Sequence, residues 1–93
     1  MHIAVMTVRL YAPWVRSLKE KRMEVKSLLA KVRAKFNVSA AEAEEQDTQK
    51  TIVLSFAALA GDAAQADSIL DHILNFLEEN SEAAVTRVRR EQR

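Results

Sequence analysis

Lys19, Arg22, Lys26 and Arg33 follow one another at intervals of three, four and seven residues. At 100° per residue these intervals place all four within an arc of about 60° on one helix. Arg16 and Lys21 border the same end of that ridge, and only Glu20 and Glu24 are available locally to pair with it. Such a ridge contacts several phosphates of a nucleic acid at once, through a counterion-release term that weakens as salt rises. The competing reading is a solvated helix face whose long side chains shield the core margin. Trp14 is the only tryptophan and follows Pro13 in the segment leading into the ridge. A base or ribose stacked on it would bring its phosphates near Lys19 and Arg22. Alternatively, the indole folds down as a lid on the end of the core.

Other chemistries find fewer residues. His2 sits at the chain start, and His72 lies opposite an apolar helical stripe, so neither has a nucleophile or a second ligand beside it. Glu42, Glu44, Glu45 and Asp47 form the densest carboxylate group. On a strand, Glu42 and Glu44 would share a face and could hold a divalent cation or an acid–base pair, but no His completes a set. A solvated edge strand, kept charged to block aggregation, is the better explanation of them. Gly61 stands alone, which removes the glycine-rich phosphate loops, and the absence of cysteine removes thiolate metal sites and a thiol nucleophile. The expectation is therefore a protein that is not an enzyme, with no catalytic set, metal or cofactor. It is also expected in a reducing compartment, the cytoplasm.

These residues need a scaffold. A chain of 93 residues supports one core, and 48% apolar residues with one Gly and one Pro describe a packed domain over 1–93, with 90–93 expected as a frayed basic tail. Residues 2–11 alternate with strand period until Pro13 interrupts them. Ser17 and Glu20 stand at capping-box spacing, opening a helix over about 17–35 with Leu18, Val25, Leu28, Leu29, Val32 and Phe36 on its core side. A weak edge strand from Val38 to Glu45, a polar turn, and a strongly apolar strand from Lys50 to Ala60 follow. Asp62 and Gln65 repeat the capping logic before a helix with Ala66, Ile69, Leu70, Ile73, Leu74 and Leu77 on one side. A short strand carrying Val85 and Val88 closes the order β-α-β-β-α-β. The compact solution is a ferredoxin-like α+β sandwich, a four-stranded antiparallel sheet with both helices on one face. No apolar run is long enough for a membrane span, and the opening residues lack a basic leader or a small-residue cleavage site.

Helices on one face leave the other uncovered, while the central strands carry apolar residues on both. Ile3, Val5, Ile52, Leu54 and Phe56 are the expected interface, and a two-fold homodimer the expected partner. The formal charge of +1 conceals segregation: residues 1–36 carry +7, 37–86 carry −9 and 87–93 carry +3. Such blocks favour oriented docking on a polyanion or charged protein, or neutralise one another within a dimer. One Phe on the central strands is no aromatic platform for single-stranded RNA, so an RNA contact belongs to the helix, the Trp14 segment and the Arg-rich tail.

Ser17-Leu-Lys-Glu-Lys-Arg22, Lys35-Phe-Asn-Val-Ser39 with Ala41-Glu42, and Gln46-Asp47 resemble the YlxP-like family of small bacterial proteins of unknown function. The resemblance runs over nearly the whole chain. It departs after Asp47, where members often carry an aromatic and this chain has Thr48-Gln49-Lys50. It implies a ferredoxin-like fold and a gene neighbourhood shared with a translation initiation factor and a ribosome-binding factor. Lys19, Lys21 and Arg22 exceed what a helix cap requires. Together with Arg16, Lys26, Arg33 and Trp14 they are the expected contacts to ribosomal RNA or a ribosomal particle. A protein-interaction adaptor using the apolar face, or a small-molecule module using Glu42 or Asp47, is the alternative.

Overall fold

The computed structural model describes residues 1–93 as β1 (His2–Tyr11), α1 (Leu18–Lys35), β2 (Ser39–Glu44), β3 (Thr51–Ala60), α2 (Ala63–Asn80) and β4 (Ala84–Gln92). All pairings are antiparallel, in the order β2-β3-β1-β4. The architecture is the ferredoxin-like α+β sandwich. Both helices start on a side-chain cap: the Glu20 N–H donates to Ser17 Oγ at 3.1 Å, and the Gln65 N–H to Asp62 Oδ1 at 2.8 Å. Gln65 returns the favour at α2, its Oε1 accepting from the Gly61 N–H at 3.0 Å, whereas at α1 only the hydroxyl half of the box is made. No helix is long and apolar enough to cross a membrane.

Cross-strand partners share a face, so the register decides what is buried. Met6 faces Phe56, Val8 faces Leu54 and Leu10 faces Ile52. These six join Ala4, Val25, Leu28, Val32, Ala66, Leu70, Ile73 and Leu77 in the core between sheet and helices. Three of the five expected interface residues are thus corrected: Ile52, Leu54 and Phe56 are at most 1% exposed, beneath the helices. Alternation identifies two sets of side chains on a strand without saying which set the helices cover. The open face instead carries Ile3, Val5, Thr7, Arg9 and Tyr11 of β1, in register with Leu59, Ala57, Ser55, Val53 and Thr51 of β3.

Two further expectations change. Residues 90–92 belong to β4, and Arg93 exchanges backbone hydrogen bonds with Ile3 at 2.8 and 3.0 Å, so the basic tail is paired and not frayed. Glu42 and Glu44 do not share a face. A bulge at Ala43 lets Glu42 face Leu54 on the helix side and Glu44 face Val53 on the open side.

Candidate functional site

Ser17 starts α1 and the apolar row Val25, Leu28, Leu29 and Val32 anchors it, which turns the basic row outward along the flank nearest β2. Arg16, Lys19, Arg22 and Lys26 are exposed, and none has a carboxylate within ion-pair distance. Arg33 is exposed too, but its guanidinium donates to the Ala40 carbonyl of β2, so its outward reach is limited. Lys21 departs from the expectation. It is completely buried; its Nζ donates to the Glu45 carbonyl and lies 3.2 Å from Glu42 Oε2. A nucleic acid cannot reach it. Its spacing to Val25 and Leu28, four and seven residues on, puts it on the core row, a signal already present in the helical period.

The Trp14 segment is held from both sides. Ala12 and Val15 plug the end of the core, both 0% exposed, while Trp14 stays at the surface, 37% exposed. Lys50 Nζ fastens the turn by donating to the carbonyls of Pro13 at 2.6 Å and Val15 at 2.9 Å. Val15 takes the lid position that the indole could have filled, which leaves Trp14 beside the start of the basic row.

A second concentration of positive charge lies on the open face. Thr7, Arg9, Glu44, Val53, Arg87 and Arg89 line a concavity of about 110 Å³. Arg9 faces Arg87 and Thr7 faces Arg89 across the β1–β4 ladder, and Thr7 Oγ1 lies 2.9 Å from Ser55 Oγ. Reading the tail as a loose basic end missed this group. Arg87 and Arg89 are brought to the face of Arg9 by a register shift in β4, which leaves no periodic trace in sequence. Neither the histidines nor the acidic segment forms a group of three His, Cys, Asp or Glu placed to hold a metal ion.

The sandwich, its basic α1 flank and its open sheet face define a small α+β protein of a recognised family. A family model described as a protein of unknown function, DUF503, matches residues 3–90, and the chain belongs to that family. It is similar to the uncharacterized protein YlxP of Bacillus subtilis (strain 168), 37% identical over 75 residues, which is 81% of this chain and 82% of that protein.

Proposed function

We propose that the chain is a non-enzymatic cytoplasmic protein that docks on structured RNA, a ribosomal particle above all, through Arg16, Lys19, Arg22 and Lys26 with Trp14 at the margin. One observation carries the reading: Lys19, Arg22 and Lys26 stand exposed on one flank of α1, with Arg16 exposed just before its cap, and none of the four has a carboxylate partner. The acidic segment does not quench them, because its ion pairs go elsewhere, Glu42 to buried Lys21 and Glu44 to Arg89. The translation-linked gene neighbourhood that the family resemblance implies supports a ribosomal target.

Co-sedimentation with ribosomal particles across a salt series tests it, comparing the wild type with Lys19→Glu/Arg22→Glu. Each lost phosphate contact flattens the log–log salt dependence by about 0.7–0.9, so the double variant should lose roughly 1.5 from the slope and bind less at every salt. Binding that ignores salt, or an equally competent variant, ends the reading. Pairing of two copies through Ile3 and Leu59, exposed by 41% and 64% at one end of the open face, belongs to the same proposal.

A further inference from the structure

We infer that the concavity formed by Thr7, Arg9, Arg87 and Arg89 is a binding site for a phosphate monoester, separate from the α1 flank. Two bulges build it. On β2 the extra residue is Ala43. On β4 the register slips between Arg9 and Leu10, so that Val85 faces Leu10, Arg87 faces Arg9 and Thr86 is the extra residue, its hydroxyl donating to the Arg9 carbonyl at 3.2 Å. Both irregularities fall at the rung where Arg9 meets Val53. Each inverts the alternation of its strand from that point on. The inversions bring Glu44, Arg87 and Arg89 to the open face instead of the helix side. Bulges on both edge strands at one rung are the kind of device that re-aims side chains around a binding site.

The charge arrangement needs a ligand. Arg9 and Arg87 sit directly opposite each other, a like-charge pairing that destabilises a sheet. Neither has an ion-pair partner, and Arg89 reaches Glu44 only at 4.0 Å. The neighbouring tail arginines outside the concavity are better matched, Arg90 with Asp71 at 2.7 Å and Arg93 with Glu91 at 3.1 Å. Three guanidinia against one carboxylate leave two positive charges around the hollow, complementary to a monoester phosphate of about −1.5 to −2. An RNA diester supplies only one negative charge per phosphate. Guanidinium forks grip phosphate oxygens bidentately, and the Thr7 hydroxyl adds a donor. The concavity admits a tetrahedral oxyanion over the side chain of Val53, 2% exposed. Tyr11, two residues further along β1 on the same face and 45% exposed, stands about 7 Å away, where the esterified group of a bound nucleotide would lie.

Amide chemical-shift titrations with inorganic phosphate, a nucleoside 5′-monophosphate and an RNA oligonucleotide lacking terminal phosphates test the site. The first two should saturate, compete, and move the resonances of Thr7, Val53, Arg87 and Arg89. Arg9→Gln and Arg87→Gln should each weaken binding by about tenfold or more, as expected for a lost charge-assisted contact. Both should unfold no more readily than the wild type, since neither side chain supports the core and each change removes a like-charge contact. Lys19→Glu/Arg22→Glu should bind phosphate as the wild type does, which separates this site from ribosome docking. The inference is overturned by absence of saturation at millimolar phosphate, by shifts confined to α1, by unaffected Arg variants, or by an oligonucleotide that fills the concavity as tightly as the monophosphate.

Discussion

Lys21 puts an ammonium where no solvent reaches, between the first turn of α1 and β2. The Glu45 carbonyl and the Glu42 carboxylate are its compensation. Glu42 Oε2 is buried and accepts no hydrogen bond, so its contact with Lys21 is one of charge alone. Removing one member of such a pair strands the other. Lys21→Met should therefore lower the unfolding free energy by about 2–4 kcal/mol, moderated because the Glu42 side chain keeps 18% of its exposure. Lys21→Met/Glu42→Leu should recover most of that loss, because two apolar groups of similar volume pack where the charges were. Urea denaturation of the three proteins checks both statements, and equal destabilisation by the single and double variants would contradict them. The pair ties an edge strand of only six residues to the helix above it.

At the scale of elements, the turn between β1 and α1 depends on a residue from a different part of the chain. Lys50 satisfies two carbonyls of the Pro13–Val15 turn, and the Lys50 carbonyl accepts from the Ala12 N–H at 2.8 Å. Lys50→Ala should remove about 1–2 kcal/mol of stability and loosen the turn, since hydrogen bonds from a charged donor are the stronger kind. Trp14 emission should shift to the red and acrylamide should quench it faster; an unchanged spectrum would show that the turn holds itself. The helices and the strand order were legible from caps and periods, because Ser17, Asp62 and the apolar rows act locally. The bulges were not. Nothing in Glu42-Ala43-Glu44 or Val85-Thr86-Arg87 marks an extra residue, for the slip exists only relative to the neighbouring strand. The assignment of Ile52, Leu54 and Phe56 to the open face failed for a related reason: facing is a property of the pairing.

Across the whole molecule, the open face divides into two territories. The Ile3–Leu59 rung is apolar and exposed, and the Arg9–Val53 rung is charged and concave, six residues or roughly 20 Å along the strands. Two copies meeting at the apolar end would leave the arginines open. Sedimentation should then report a dimer that Leu59→Arg converts to a monomer without unfolding it; a monomeric wild type would refute the pairing. On the opposite layer, the free cations of α1 point away from both territories, so docking and dimerisation need not compete.

Thr86 and Ala43 make each edge strand behave as two half-strands of opposite handedness towards the core. The extra residue is what inverts the facing, so loss of its single codon would regularise the ladder and leave every side chain beyond it on its present face. Without Ala43, Glu42 would still face the helices and Glu44 the open side, as consecutive residues of a regular strand do. Without Thr86, Val85 and Val88 would stay on the helix side and Arg87 and Arg89 on the open face. Relatives of this chain should therefore tolerate a one-residue gap at these two points far better than one within β1 or β3, where it would turn part of a central strand over.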